Sequence, residues 1–213
     1  METTGGSRRL RQRRELERGI VDEAMRLLRA GGVPAVSLRG IARALGMSAP
    51  AIYTYFPSLT ELITELIVRC TDSLTEALRG AMPEQDARPL DQRLLAGPLA
   101  YREWALTHRS EFNLIFFDQV IGYAAPEGGV TVAAQSRMLH VLAGPFAALR
   151  GVEADALEAR EDFLDEFLGW WGSFHGLVAL EVNHHLDWRD PQRIFLAQVK
   201  AGLTLLGRVP KRR

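Results

Sequence analysis

Apolar residues recur along this chain every three to four positions, and no stretch alternates with the period of two that a half-buried strand requires. The pattern therefore predicts helices throughout. Glu15 to Ala30 carries Leu16, Ile20, Ala24, Leu27 and Leu28 on one stripe and ends at Gly31-Gly32. In the next segment Leu38, Ile41, Ala42 and Leu45 fall at i, i+3, i+4 and i+7, with Ser37 placed as an N-cap. Gly46 tolerates the left-handed conformation of a tight turn, and Ser48 caps a second short helix, Ala49 to Phe56, with Pro50 in its first turn. Ile52 and Phe56 then face inward, which turns Ala49, Pro50, Tyr53, Thr54 and Tyr55 outward. Ser58 opens a longer helix to about Arg79, with Leu62, Ile63, Leu66, Ile67 and Leu74 on its inner side.

Past a linker candidate at Gly80 to Pro89, helical spacing resumes over Leu90 to Thr107, Arg109 to Tyr123, Val130 to Leu149 and Asp162 to about Asn183, with a loop at Ala124 to Gly129. Pro145 is expected to kink or shorten its helix, because it lacks an N–H and its ring clashes with the preceding turn. Phe112, Leu114, Ile115, Phe116 and Phe117 are apolar nearly all round, so burial on more than one side is expected. Asp190-Pro191 opens a final helix carrying Ile194, Phe195, Val199, Leu203 and Leu206, ahead of the basic tail Lys211-Arg212-Arg213. The fold class is all-α, with about nine helices in three parts. A basic arm over residues 1–14 is expected to be disordered, a three-helix helix-turn-helix head follows over 15–57, and a larger helical body fills 58–213.

Charge changes this picture. Overall the 26 basic and 26 acidic residues cancel, yet up to Pro57 there are ten arginines against five acids, so the arm and head together carry +5 and the remainder −5. Within the arm Arg8, Arg9, Arg11, Arg13 and Arg14 follow Gly5, Gly6 and Ser7, a composition suited to lying along a phosphate backbone or entering a minor groove. A helix that enters a major groove needs small residues where its backbone nears the base edges, and hydroxyl or aromatic side chains to meet thymine methyls and phosphates. Ala49, Pro50, Tyr53 and Thr54 supply those parts. Ser37 and the unpaired N–H groups beside it suit a phosphate, and Arg39 adds a full charge. Double-stranded DNA is the expected partner. No apolar run follows the arginines as a signal peptide requires, and none approaches membrane-spanning length, so no membrane partner is expected. A lone Cys70 excludes an intrachain disulfide and fits a cytoplasmic protein.

One ordered set of residues runs from about Glu15 to Leu62: Ala24, Leu27, Leu28 and Gly32, then Val36-Ser37-Leu38-Arg39, Ile41-Ala42, Leu45-Gly46-Met47-Ser48, Ile52-Tyr53, Tyr55-Phe56 and Leu62. This set resembles the tetracycline-repressor (TetR) family of bacterial transcriptional regulators. The resemblance implies that Ser37, Arg39, Ser48, Ala49, Pro50, Tyr53, Thr54 and Tyr55 occupy positions where the family touches DNA. It also carries one departure: the family usually has a lysine after the serine that opens the fourth helix, whereas Leu59 follows Ser58 here. That phosphate contact is missing, and the basic arm is the available substitute. Farther on, Trp171 to Gly176, continuing to Leu180-Glu181, resembles the Trp…His-Gly signature of one TetR subgroup.

The body offers two further surfaces. Tyr101, Trp104, Phe112, Phe116, Phe117, Trp170, Trp171 and Phe174 are expected to wall a pocket for a small apolar or aromatic ligand, with Tyr101, His140 and His175 as its polar groups. Ordinary core packing is the competing use of such aromatics. Phe167, Trp171, Val178, Phe195, Val199 and Leu203 on the last two helices are expected to pair with a second copy, with Gly169, Gly172 and Gly176 permitting close backbone approach. A homodimer of this kind presents two reading helices to a near-palindromic operator. His175, Glu181, His184, His185 and Asp187 match no metal-binding spacing, so no metal or cofactor is expected. Nucleophile elbows, phosphate loops and dinucleotide fingerprints are all missing from the sequence, which argues against an enzyme. The expected function is a ligand-responsive repressor; the alternative is a helical protein that engages a protein partner or a metal and does not itself regulate genes.

Overall fold

A computed structural model describes residues 3–83, 85–118, 128–152 and 160–208 of the chain. Those residues form nine α-helices and no strand: α1 (Thr3–Gly31), α2 (Leu38–Ala44), α3 (Ala49–Ile52), α4 (Leu59–Ala81), α5 (Leu90–Thr107), α6 (Arg109–Phe116), α7 (Val130–Arg150), α8 (Glu161–Val182) and α9 (Pro191–Arg208). A single 3-10 turn, Val33–Ala35, follows α1. The expected helix end over 119–123, most of the loop over 124–129 and the tail over 211–213 lie outside the described residues.

Three expectations are corrected. The arm is helical rather than disordered, because α1 begins at Thr3. Arginine, glutamine and leucine favour helix, and Arg13 pairs with Glu17 one turn on at 2.9 Å. The second short helix ends at Ile52, and Tyr53, Thr54 and Tyr55 follow in turns whose N–H groups reach back to carbonyls of that helix. Of the two outcomes expected at Pro145, shortening does not occur, because α7 runs through it to Arg150.

The chain divides into two compact units. One comprises the described residues of Met1–Cys70 with Ser110–Val132, the other those of Thr71–Arg109 with Ala133–Arg213. Helix α4 gives its first half to the former and its second half to the latter. In the first unit Ile20, Ala24 and Leu28 of α1, Ile41 of α2, Ile52 of α3 and Leu62, Ile63 and Leu66 of α4 are all fully buried. Leu45, expected inward, is 40% exposed at the C-terminal end of α2. Arg69 pairs with Asp22 at 2.6 Å, and Arg29 with the buried Glu111 at 2.6 Å, which ties α1 to α4 and α6. Burial pushes the Cys70 thiol up to about 12, so it stays protonated, with its sulfur 3.9 Å from that of Met25.

In the second unit α8 packs against α5 and α9. Rings stack and cross along its inner side: Phe146 lies 5.5 Å from Trp170, Trp170 5.1 Å from Phe174, and Phe174 5.7 Å from Tyr101. The Arg102 guanidinium donates to both Glu181 oxygens, at 2.7 and 2.5 Å, and sits 5.5 Å over the Phe195 ring. One side chain thereby joins α5, α8 and α9. Asp86 is held by Arg88, which keeps its carboxyl down at about 2.

Candidate nucleic-acid interface

The turn between α2 and α3 is built by capping and by glycine. Ser37 Oγ accepts from the Gly40 N–H at 3.2 Å, and Ser48 Oγ accepts from the Ala51 N–H at 3.3 Å. Each serine is exposed and uses its oxygen for the cap, which leaves the hydroxyl proton available to a phosphate oxygen. Gly46 takes the turn with φ at 64°, a conformation that side chains disfavour. At Gly40 the requirement is space: a Cβ there would stand 2.7 Å from Ser37 Oγ and displace the cap. The constraint on Gly40 is local, set by the cap of Ser37 three residues earlier, and the sequence analysis named the cap without the glycine that it requires.

Around this turn the expected contact residues gather in one unit. Arg39 is exposed in the first turn of α2, and Ala49 and Pro50 are exposed in the first turn of α3. Tyr53 is 43% exposed, and its hydroxyl has no hydrogen-bond partner among the described residues. Thr54 is also exposed, but its hydroxyl donates to the Ala51 carbonyl at 2.7 Å. Phosphate oxygens only accept, so Thr54 as it stands offers its methyl group and oxygen lone pairs to a base edge. Tyr55 is half-buried, with the Arg13 guanidinium 5.6 Å over its ring. Arg13 also donates to the Thr54 carbonyl at 3.3 Å, a contact the sequence reading missed. Arg8, Arg9, Arg11 and Arg14 are exposed along α1. Ser58 caps α4 through the Glu61 N–H at 3.1 Å, and Leu59 beside it is 38% exposed.

The expected ligand wall is not assembled as one surface. Tyr101, Phe174 and Trp170 are buried against each other and their neighbours. Tyr101 shares a 2.7 Å hydrogen bond with His175 Nδ1. Burial raises the Tyr101 hydroxyl well above its ordinary value and lowers His175 to about 4, so at neutral pH this is a hydrogen bond between a neutral phenol and an unprotonated imidazole. Trp104 donates to Ser73 Oγ at 3.2 Å and stacks on His108 at 4.9 Å. Phe116 and Phe117 belong to the other unit, grouped with Phe112, and Phe117 is 47% exposed rather than buried. An open cavity of about 1020 Å³ does occur in the second unit, lined by Arg79, Met82, Arg93, His140, Val141, Pro145 and Val152 among others. Of the ten expected ligand residues, only His140 lines it; its Nδ1–H donates to the Ser136 carbonyl at 2.7 Å.

The dimer residues need the same correction. Phe167, Val178, Phe195 and Val199 are buried in their own chain, so they face its core and not a partner. The apolar residues that α8 and α9 turn outward are Leu168, Leu180 and Leu205, with Trp171 and Leu203 half-buried. A Cβ built on Gly169, Gly172 or Gly176 meets nothing within 4 Å, so these glycines relieve no close approach inside the chain. The polar cluster near the end of α8 also disperses. Glu181 is taken by Arg102, while His184 donates to Asp187 at 3.0 Å and accepts from Arg109 at 2.6 Å. Among the described residues no three His, Cys, Asp or Glu side chains are grouped to hold a metal, and no helix is long and apolar enough to cross a membrane.

Two capped helices on a left-handed glycine turn, the second of them short and turning small and hydroxylated residues outward beside exposed arginines, define a helix-turn-helix DNA-binding protein. Comparison with known proteins places that class in a family. Residues 20–66 match the family described as bacterial regulatory proteins, tetR family, and residues 94–201 match the tetracyclin repressor-like C-terminal domain. The chain belongs to the TetR family and is a DNA-binding transcriptional regulator. It is 28% identical over 218 residues to the HTH-type transcriptional regulator Rv1816 of Mycobacterium tuberculosis, covering 91% of this chain and 93% of that protein. Among solved structures, the regulatory protein SCO4313 superposes with a TM-score of 0.76 at 29% identity, over 91% of this chain and 98% of the other. A protein of unknown function from Rhodococcus sp. RHA1 shares the fold, with a TM-score of 0.70 at 24% identity over 91% and 96% of the two chains.

Proposed function

We propose that this regulator is a cytoplasmic homodimeric repressor whose α3 reads a near-palindromic operator and whose body releases it on binding a small molecule. The observation that carries the DNA reading is the outward side of α3 and the turn after it. Ile52 is fully buried beneath, while Ala49, Pro50, Tyr53 and Thr54 stand exposed after the Ser48 cap. In this reading Ser37, Ser48 and Arg39 hold phosphates on either side of the base-reading residues. The head comprises residues 15–57, with the N-terminal turns of α1 adding charge.

For the dimer, the supporting observation is the outer side of α8 and α9. Leu168 and Leu180 flank three glycines with open space above them, and a groove of about 800 Å³ runs between the two helices past Leu177, Ile194, Ala197 and Ala201. Two copies related by a two-fold axis would pack these helices as a four-helix bundle and space the reading helices by about 34 Å or a multiple. For the effector, the cavity beside His140 is lined by the apolar Met82, Val141, Pro145 and Val152 and by the charged Arg79, Arg93 and Asp86; Arg79 is paired with Glu76 and Asp86 with Arg88, so Arg93 is the cation that would meet an acidic group on an apolar molecule.

Binding of the full chain to the DNA upstream of its own gene tests the first part. Expected is tight, salt-dependent and sequence-selective binding with one dimer per site; equal affinity for random DNA contradicts it. A thermal-shift series of hydrophobic acids and their neutral analogues tests the second. Stabilisation by the acids that also weakens operator binding is the expected result, and indifference to every compound contradicts it.

A further inference from the structure

We propose that Arg13 is a positioning residue for α3, one that sets which DNA sequence is read, and not one of the phosphate-binding arginines around it. The inference rests on the reading of α3 given above. Helix α3 is four residues long, too short to hold its own shape, and its last carbonyls are met by the turn that follows it, Ala51 by the Thr54 N–H and Ile52 by the Tyr55 and Phe56 N–H groups, so the shape of that turn sets the shape of the helix end. Ile52 anchors it from beneath, but one buried side chain does not fix a rotation.

Arg13 supplies the missing constraint from α1. Its Nη2 donates to the Thr54 carbonyl at 3.3 Å, its Nε donates to Glu17 Oε1 at 2.9 Å, and its guanidinium lies 5.6 Å over the Tyr55 ring. Glu17 orients the fork, the fork ties the turn at Thr54, already closed by its own backbone bonds, to α1, and the Tyr55 ring stacks beneath it. Tyr53 and Thr54 sit within that closed turn, so their placement follows from it. Only a planar guanidinium serves these three partners together; a lysine ammonium has the charge without the plane or the fork. Arg8, Arg9, Arg11 and Arg14 are exposed and make no hydrogen bond to α2 or α3 among the described residues. Five neighbouring arginines thus divide into two roles. Four raise affinity for any DNA through charge, and Arg13 holds the element that discriminates between sequences.

The test uses the full chain and two fluorescent duplexes of equal length, one from its own upstream region containing the selected site and one scrambled, titrated at several salt concentrations. Arg13→Lys keeps the charge, so the expected result is roughly threefold to tenfold weaker binding to the site, unchanged binding to the scrambled duplex and an unchanged salt slope. Arg14→Ala, in contrast, should weaken both duplexes alike and reduce the slope by about one. Arg13 is 57% exposed, so folding should survive the change, and an unaltered thermal unfolding midpoint would confirm that. Wild-type binding by Arg13→Lys, or equal weakening on both duplexes, overturns the inference. If the wild-type chain itself does not distinguish the two duplexes, the reading of α3 fails and takes the inference with it; the wild-type titration alone separates that case.

Discussion

The reading element and the aromatic body handle the same residue types in opposite ways. Around α3 a tyrosine and a threonine are turned to solvent over a single buried isoleucine, and the backbone is held by two serine caps and one arginine. In the body Tyr101, Trp170 and Phe174 are driven inside, where the Tyr101 hydroxyl is paired while Trp170 Nε1 is buried without a hydrogen-bond partner among the described residues, and a desolvated ion pair locks three helices together. The contrast teaches where each region's shape comes from. Both regions rest on buried cores, Ile20, Ala24, Leu28 and Ile41 in the head among them, but the outward residues of the reading element are placed by capping and by contacts from α1. A change to the body should therefore be felt as stability, and a change to the reading element mostly as recognition.

The largest expected effect breaks the body. Glu181→Ala would leave Arg102, whose side chain is 16% exposed, without its carboxylate, and should cost about 3–5 kcal/mol in urea unfolding. A loss below about 1 kcal/mol, as for an exposed pair, would mean that the body is not organised by this contact. Next comes the head. Gly40→Ala places a methyl group against Ser37 Oγ and should cost about 1–2 kcal/mol through loss of the cap, with weaker DNA binding of the same protein. Unchanged stability and binding would show that Ser37 has another way to cap.

A third effect is a slope rather than a step. His175 sits at about 4 when folded, against an ordinary value of 6.5, so the unfolded chain takes up a proton first as pH falls. Stability from this group is complete above about 6.5 and declines as pH drops toward 4. Thermal midpoints measured from pH 7.5 to 5 should decline for the wild type and flatten in His175→Gln. An identical decline in both would assign the slope to other groups.

How much of this was legible in the sequence follows the range of the forces involved. Ser37, Gly46 and Ser48 could be read because capping and a left-handed turn are decided within a few residues. All-helical architecture was legible from periodicity for the same reason. Periodicity found that α8 and α9 are apolar, but it could not say which apolar residues face inward. Phe167 and Val178 went to the core while the neighbouring Leu168 and Leu180 stayed outside, because that choice depends on where α5 and α9 pack. Aromatic content likewise suggested a pocket wall, whereas Tyr101, Trp170 and Phe174 fill space against one another. Arg13 was counted among the arginines of a loose arm, since its partners at Thr54 and Tyr55 are distant in sequence. Helix propensity in the same stretch would have argued for order sooner than its charge argued for disorder.

One measurement tests the central claim, that the outward side of α3 reads DNA. Tyr53 is exposed and unbonded among the described residues, so Tyr53→Ala should change unfolding free energy by less than about 0.5 kcal/mol. The account predicts that the same variant binds the site upstream of its own gene at least about tenfold more weakly than the wild type at equal salt. Undiminished binding by a fully folded Tyr53→Ala protein would contradict it.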